Sequence, residues 1–361
     1  MPSKSDRNHK KITAADIARE SGYSLTAVSF AFNKPTRIST EVREKILEAA
    51  DRLGYTPDPG ARKFAMGRQL AIGFLLPQEA DSTMSNPYIL GILRGVVKVC
   101  ETKAYTLSIL PPIKSSINKA IQNAAVDGFI TVGLTITDKI KQNFDRRGLP
   151  IVTIGGDITD DITNINIDDE AAGKLIVEKA IELGHREFVF VMLKDPIYGD
   201  EYYKSSVMQR RTSGYKKALE ENGLLWSEDR VVKVDSTISG GYEAAKILFE
   251  QHDVMFSCIV SSADIISLGI LRYANDTGID IPEQYSLVSF DGIDEPFGQY
   301  NLTTIVQAPE SKGQLAAETI FELIDNQVTA SGSITFPFTY QKGNTLGPCP
   351  LNILDKKVYH E

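Results

Sequence analysis

The sequence lacks any long apolar run, and it contains few cysteines. No segment approaches the ~20 consecutive apolar residues that a membrane-spanning helix needs. The first residues, MPSKSDRNHKK, also lack the apolar core of a secretory signal. The three cysteines, Cys100, Cys258 and Cys349, are far apart and odd in number, which favours reduced thiols over a disulfide framework. These absences predict a cytoplasmic protein with no membrane partner.

Sequence motifs for catalysis, metal binding and cofactor binding are also missing. The four histidines are dispersed, and no Cys or His spacing fits a zinc site. There is no G-x-S-x-G elbow and no P-loop, and the glycine pairs 155–156 and 240–241 lack a dinucleotide fingerprint. We therefore predict no enzyme activity, no catalytic residues, no metal and no cofactor.

The charge that is present is unevenly distributed along the 361 residues. Residues 1–70 carry 13 Lys and Arg against 8 Asp and Glu, whereas the remaining residues carry 26 against 39. A basic segment of +5 before an acidic body of −13 is typical of a small nucleic-acid-binding head on a larger domain. The alternative is a solvated tail with a chance excess of lysine.

The stretch 12–33, ITAADIARESGYSLTAVSFAFN, has the pattern of two short helices joined by a turn. Thr13 can cap the first helix with Asp16 three residues later, and Gly22 tolerates the positive φ of a turn. Ser24 can cap the second helix, which we predict over 25–32. The residues that can close a small core between the two helices are Ala18, Leu25, Val28 and Phe32.

The second helix leaves a face that this core does not use. The face consists of Thr26, Ala27, Ser29, Phe30 and Asn33. Small polar residues at the start of such a helix suit base reading in the major groove of DNA. Any short amphipathic helix pair shares the pattern, so a DNA-binding and a purely structural interpretation both remain open.

A third helix is predicted from its N-cap Ser39 to Leu53, and Gly54 ends it. With this helix the chain resembles the lactose-repressor (LacI/GalR) family of bacterial transcription regulators. The matching segments are IT-x-x-DIA-x-x-SG-x-S-x-x-AVS-x-x-x-N, IS-x-x-VR-x-K-I-x-x-AA-x-x-LGY-x-P and AR-x-F. The resemblance implies a homodimeric regulator, with repression expected by analogy, that binds double-stranded operator DNA under the control of a small-molecule effector.

The resemblance also implies roles for side chains of the head. Leu25, Thr26 and Phe30 occupy positions that face base edges, and Ser24 and Ser29 would hold phosphates. Many members carry arginine where Phe30 stands, and Phe30 can only contact a thymine methyl or pack. The predicted DNA-binding residues are Thr13, Ser24, Leu25, Thr26, Ser29, Phe30, Asn33, Arg62 and Phe64.

Residues 58–69 are predicted to form a hinge helix or linker. Pro59 and Gly60 make a helix here marginal by itself, so it could fold on binding. The resemblance implies that the hinge enters the minor groove, where Phe64 stands at the position of a wedging leucine. Arg62 would contact the groove or a phosphate. An ordinary linker is the alternative.

From Leu70 onward, predicted strands alternate with predicted helices. This alternation implies parallel sheets, and the number of strands indicates an α/β body of two Rossmann-like lobes. The resemblance implies that the body is similar to periplasmic sugar-binding proteins, with three crossovers between the lobes. Lobe one is expected at about 70–165 plus 300–330, and lobe two at 166–299 plus the C-terminal end. Strands are predicted at 70–77, 105–110, 127–133, 150–155, 163–168, 188–193, 231–235, 256–262 and 285–291, and helices at about 88–103, 114–125, 170–183, 208–222, 239–251, 265–277 and 309–326.

Ligands of open α/β sheets bind at the carboxyl ends of the strands. The residues that this rule selects are Gln78, Asn86, Asp157, Asp264 and Asp291. The resemblance adds Arg211 and supports the two last aspartates, although Ala263 replaces an asparagine frequent in the family. An arginine fork with carboxylates suits a polyhydroxylated ligand such as a sugar or nucleoside. The aromatic residues that could stack on its ring are Tyr88, Tyr198 and Phe297.

Each of these site residues also has a structural alternative. The charged ones could form surface charges or salt bridges between the lobes, and the aromatic ones could belong to the core. The predicted domains are a helix-turn-helix head at 1–57, the hinge at 58–69, a two-lobe effector and dimerisation domain at 70–345, and a tail at 346–361. Two other functions remain as alternatives, a sugar-binding protein whose head does not bind DNA and a two-lobe α/β enzyme.

Overall fold

A computed structural model of the chain describes residues 12–33, 35–56, 60, 63, 66–76, 83–158, 161–195, 197–198, 201–202, 205–251, 254–294, 298–326 and 332–350. The chain divides into two compact units, Met1–Gln69 and Leu70–Glu361. Within the described ranges, no helix is long and apolar enough to cross a membrane.

The first unit contains three helices whose ends follow the local sequence. The carboxylate of Asp16 accepts the backbone N–H of Thr13 at 3.0 Å, and Gly22 ends the first helix with φ +75°. The hydroxyl oxygen of Ser24 accepts the backbone N–H of Ala27 at 3.1 Å, and Ser39 caps the third helix in the same way. The caps predicted at Ser24 and Ser39 and the helix end at Gly22 are therefore confirmed. The hydroxyl of Thr13 donates to the carboxylate of Asp16 at 2.7 Å. The helices are α1 (Ala14–Ser21), α2 (Leu25–Asn33) and α3 (Thr40–Leu53), with a short 3₁₀ turn at Pro35–Arg37.

The core of this unit differs from the predicted core at one position. Val28 is buried as predicted, and the ring of Phe32 packs edge-on against Tyr55 with centroids 5.7 Å apart. Leu25, which the sequence pattern assigned to the core, is 56% exposed. It is the first residue of α2, and the helix buries Val28 and Ala31 further along instead.

The second unit contains two six-stranded sheets, each with helices packed against it. The first sheet has the order β13-β5-β4-β3-β1-β2 and is parallel throughout. The second has the order β14-β12-β11-β10-β6-β9 and is parallel except that β14 runs antiparallel to β12. The two parallel-rich sheets confirm the predicted α/β fold with two lobes. Its strands are β1 (Ala71–Leu75), β2 (Thr106–Leu110), β3 (Gly128–Val132), β4 (Ile151–Ile154), β5 (Thr163–Asn166), β6 (Phe188–Leu193), β7 (Ile197–Tyr198), β8 (Glu201–Tyr202), β9 (Val231–Val234), β10 (Cys258–Ser261), β11 (Ser286–Asp291), β12 (Thr303–Val306), β13 (Gly332–Thr335) and β14 (Thr339–Gln341).

The helices of this unit agree with the predicted ones and add a further helix, α6, between β3 and β4. Its sequence DKIKQNFDRR is mostly polar, which hid the buried face formed by Ile140, Asn143 and Phe144. The helices are α4 (Pro87–Thr102), α5 (Ile117–Asn123), α6 (Asp138–Arg147), α7 (Asp169–Glu182), α8 (Ser206–Glu221), α9 (Ile238–Lys246), α10 (Asp264–Thr277) and α11 (Pro309–Asn326).

The chain crosses between the lobes three times, as predicted, but one strand was assigned to the wrong lobe. The crossovers follow β5, β12 and β13. Strand β12 was expected in lobe one, but it pairs in parallel with β11 of the second sheet, Thr303 opposite Val288. The β-branched run TTIV completes the second sheet before the chain returns to lobe one, where α11 packs against α4.

Helix pairs in both lobes cross unusually closely at glycines. A Cβ at Gly95 of α4 would lie 2.0 Å from the carbonyl oxygen of Glu310 in the first turn of α11. In lobe two, a Cβ at Gly214 of α8 would lie 2.1 Å from the carbonyl oxygen of Glu170 in α7. The absence of side chains at these positions lets the helix backbones touch. The second crossing brings the first turn of α7 beside Arg211 of α8.

Candidate effector cleft and DNA-reading helix

Helix α2 presents a continuous set of exposed side chains within the first unit. Ser24, Leu25, Thr26 and Ser29 are exposed, whereas Phe30 and Asn33 are half-buried. Thr13 is exposed at the start of α1. The structure therefore leaves the first turns of α2 accessible to a groove. Arg62 and Phe64 lie outside the described residues.

A cleft with a volume of about 170 Å³ separates the two lobes. Of the predicted ligand residues, Asn86, Tyr88, Arg211 and Asp291 line this cleft. Asp157 and Asp264 are not among the described lining residues. Gln78 and Phe297 lie outside the described residues, as does the side chain of Tyr198.

Arg211 is buried at the wall of the cleft that lobe two forms. Its Nε donates to Oδ1 of Asp169 at 3.0 Å, its Nη1 donates to the carbonyl oxygen of Ser262 at 2.8 Å, and its guanidinium lies 4.2 Å from the ring centroid of Phe290. The second oxygen of Asp169 accepts from Arg210 at 3.1 Å. Arg211 is thus a fixed cation with its own counter-ion. The sequence reasoning missed Asp169, the first residue of α7.

The two predicted aspartates of lobe two have different positions. Oδ1 of Asp291 accepts from Nε2 of Gln307 at 2.8 Å at the end of β11, where the backbone of Asp291 adopts φ +123°. The carboxylate of Asp264 accepts the backbone N–H groups of Gly292 and Ile293 at 2.7 and 3.0 Å. Asp264 therefore holds the turn that follows Asp291.

Burial raises the pKa of both carboxyl groups above their ordinary range. For Asp291 the negative charge of Asp264 adds to the effect of burial. A protonated carboxyl group in the cleft would be able to donate a hydrogen bond to a ligand as well as accept one.

Lobe one contributes a buried lysine that the sequence reasoning missed. The side chain of Lys312 on α11 is only 1% exposed, and it lines the cleft. Its Nζ donates to Oε1 of Gln307 at 2.8 Å and to the hydroxyl of Tyr88 at 3.3 Å. Burial lowers the pKa of Lys312 to about 8. A signal was present, because Lys312 shares the four-residue spacing of the buried Ala316 and Ile320.

Two further polar atoms in the cleft have no hydrogen-bond partner among the described residues. They are Oδ1 of Asn166 and Oγ of Ser262, and both side chains are buried. Across the mouth of the cleft, Nδ2 of Asn86 donates to Oγ of Ser236 at 3.3 Å. A cleft with a fixed arginine, carboxyl groups and spare buried polar atoms suits a small polyhydroxylated molecule.

A three-helix head with an exposed second helix, together with a two-lobe body that encloses a polar cleft, defines a helix-turn-helix regulator with a binding-protein-like domain. Residues 13–58 match the family described as bacterial regulatory proteins, lacI family, and residues 177–345 match the periplasmic binding protein-like domain. The chain therefore combines a helix-turn-helix domain of the lacI family with a periplasmic binding protein-like domain. It is a DNA-binding regulator of transcription.

Similar proteins match this chain over nearly its whole length. Catabolite control protein A of Priestia megaterium is 26% identical over 336 residues, which cover 90% of this chain and 96% of that protein. The lac repressor dimer bound to operator and the anti-inducer ONPF is 21% identical, with a TM-score of 0.77 over 94% of this chain and all of that one. The transcriptional regulator CelR in complex with cellobiose is 22% identical, with a TM-score of 0.65 over 92% of this chain and 99% of that one.

Proposed function

We propose that this chain is a homodimeric transcriptional repressor whose operator affinity is controlled by a small polyhydroxylated effector bound between its two lobes. The observation that carries the proposal is the polar cleft, in which Arg211 and Asp291 from lobe two face Tyr88 and Lys312 from lobe one. A ligand that contacts both lobes favours one arrangement of them, and this preference can be linked to DNA affinity. Such a regulator acts in the cytoplasm, where its operator lies.

The sugar class of the effector is supported by one of the similar proteins. CelR was solved with cellobiose, a sugar, and its fold matches this chain. The fixed guanidinium and the buried carboxyl groups offer the donors and acceptors that paired hydroxyl groups require. The protein is proposed to release its ligand chemically unchanged, in contrast to an enzyme.

The DNA-binding residues and the domain boundaries also remain proposals. We propose that Leu25, Thr26 and Phe30 face base edges, while Ser24 and Ser29 hold phosphates. Thr13, Asn33, Arg62 and Phe64 complete the set, with Phe64 as a minor-groove wedge. The proposed boundaries are 1–57 for the head, 58–69 for the hinge, 70–345 for the effector domain and 346–361 for the tail.

The decisive test is DNA binding by the full chain across salt concentrations. A duplex selected from a random-sequence library is titrated while fluorescence anisotropy is recorded. With 6–10 phosphate contacts, affinity should fall by about 10³- to 10⁵-fold between 50 and 200 mM salt. An affinity that does not change with salt concentration would contradict the proposal. The absence of binding to any duplex at low salt would also contradict it.

The role of α2 is tested by a matched pair of threonine variants. Thr26→Ala removes an exposed hydroxyl in the first turn of α2 and should weaken discrimination at one base pair by about 1–3 kcal/mol. Thr40→Ala makes the same chemical change at the exposed start of α3 and serves as the control. An equal loss of base preference in both variants would argue against base reading by α2.

A further inference from the structure

We propose that the effector of this cleft carries one anionic group on a polyhydroxylated skeleton, and that Lys312 of lobe one binds that group. The inference rests on the proposed function, because it specifies the chemistry of the molecule bound between the lobes. The shared chemistry is that of a sugar acid or a sugar phosphate.

The two buried cations of the cleft differ in their partners. Arg211 of lobe two has a carboxylate, Asp169, at 3.0 Å. The hydrogen-bond partners of Lys312 are both neutral, the amide oxygen of Gln307 and the hydroxyl of Tyr88. In the part of the chain that the structure describes, no carboxylate oxygen forms an ion pair with Lys312 within 4.0 Å. The charges of Asp169 and Asp291 act on Lys312 from a longer distance. Lobe one therefore presents a buried cation that has no direct ion pair.

One donor of Lys312 is left for a ligand. A lysine ammonium has three N–H donors, and Gln307 and Tyr88 accept two of them. Gln307 is itself fixed, because its Nε2 donates to Oδ1 of Asp291 at 2.8 Å. An ammonium group buried without a counter-charge is unfavourable, and a ligand carboxylate or phosphate would supply that charge.

The remaining polar atoms of the cleft fit the neutral part of such a ligand. Oδ1 of Asn166 can only accept a hydrogen bond, so it needs a donor such as a hydroxyl group. Oγ of Ser262 can donate or accept, and it has no described partner either. Both residues line the same cleft as Lys312. A ligand with several hydroxyl groups and one acidic group would supply hydrogen-bond partners for Asn166, Ser262 and Lys312.

A rival explanation keeps Lys312 within the protein. The chain from Lys312 through Gln307 to Asp291 could balance one buried charge with the other, with no role in ligand choice. In that case the charge of the ligand would not matter, and removal of the ammonium would affect acidic and neutral ligands equally. The two explanations therefore predict different ligand selectivity.

The test compares matched compounds on the full-length protein. The melting temperature is recorded with glucose, glucuronate and glucose 6-phosphate, and with ribose, ribonate and ribose 5-phosphate. A ligand of the native state raises the melting temperature by an amount that grows with the logarithm of its concentration divided by its dissociation constant. We expect at least one anionic compound to give a clear shift while its neutral counterpart gives a smaller one, and the carboxylate and phosphate members distinguish the two sources of charge.

Variants then assign the selectivity to a residue. Lys312→Met should weaken the anionic compound by at least about tenfold and change the affinity of its neutral counterpart by less than about threefold. Lys312→Gln is measured in parallel, so that a folding defect of either variant does not decide the result. Lys98→Met, on the exposed face of α4, is the control and should retain the wild-type selectivity.

Three results would overturn the inference. They are a neutral compound that shifts the melting temperature as much as its anionic counterpart, the absence of a shift with every anionic compound, and Lys312 variants with unchanged selectivity. Binding of a neutral sugar in preference to its anionic counterparts would agree with the proposed effector function. It would contradict the inference that the effector carries an anionic group. The salt-dependent DNA titration tests the proposed function separately.

Discussion

The two lobes of the body share one architecture but differ in how they hold a buried cation. Each has a six-stranded sheet, and each packs a pair of helices closely at a glycine. Lobe two pairs Arg211 with Asp169, whereas Lys312 of lobe one donates to two neutral oxygen atoms, those of Tyr88 and Gln307. The comparison teaches that the fold fixes where a buried side chain lies, and its immediate partners determine whether its charge stabilises the lobe or remains available to a ligand.

The largest expected effect concerns the paired cation of lobe two. Asp169→Ala leaves the buried Arg211 without its counter-ion and should lower the free energy of unfolding by about 3–5 kcal/mol. Lys312→Met in lobe one should cost much less, because it replaces an unpaired ammonium with an apolar chain. Urea denaturation of both variants measures the difference. Glu170→Ala removes the neighbouring half-buried carboxylate, which pairs with the exposed Lys217, and serves as the control that should cost much less than Asp169→Ala. Equal losses at Asp169 and Lys312 would remove the distinction between the lobes.

A smaller effect is expected where the helices cross. Gly95→Ala in lobe one places a methyl group against the carbonyl oxygen of Glu310 and should cost about 1–3 kcal/mol. Gly214→Ala should cost a similar amount in lobe two and should also weaken effector binding, because it separates α7 from the helix that carries Arg211. Denaturation and ligand titration measure the two quantities. Val97→Ala, which truncates an exposed side chain on α4, is the control. If Gly95→Ala weakened effector binding and Gly214→Ala did not, the proposed link between the lobe-two helix crossing and Arg211 would be contradicted.

The last expected effect is a dependence of stability on pH that differs between the lobes. Burial, with the negative charge of Asp264, raises the pKa of Asp291 to about 8. The folded protein then keeps a proton that the unfolded chain releases, so the free energy of unfolding should fall as pH rises from about 4 to about 8.

The lysine of lobe one has the opposite effect. Burial lowers the pKa of Lys312 to about 8 from an ordinary value of 10.5. Between these values the unfolded chain binds more protons than the folded protein, so the free energy of unfolding should rise again with pH. Urea midpoints at pH 5, 8 and 10 test both slopes. Asp291→Asn should reduce the fall in stability below about pH 8, and Lys312→Met should reduce the rise above it. If each variant instead changed the other pH range, groups other than these two would cause the dependence.

Much of the fold could be predicted from local sequence, because the helix caps and the apolar strands depend on neighbouring residues. Ser24 and Gly22 act within the four residues around them, and β3 is a mostly apolar run that is buried throughout. The position of β12 could not be predicted in this way, because its lobe is set by pairing with β11 across a long loop.

The cleft was only partly predictable for a similar reason. Arg211 could be identified by resemblance, but its partner Asp169 depends on the close crossing of α7 and α8. Lys312 was hidden by the assumption that a charged residue in an amphipathic helix faces solvent. Its four-residue spacing with Ala316 and Ile320 was the available signal.

The contact between Asn86 and Ser236 has a consequence for the lifetime of a bound molecule. Asn86 uses its oxygen to cap α4 at the backbone N–H of Tyr88, and its nitrogen reaches the opposite lobe. Separation of the lobes on this side must break one hydrogen bond while the helix keeps its cap. Residence time can therefore be altered at Ser236 while Arg211, Asp291 and Lys312 remain unchanged.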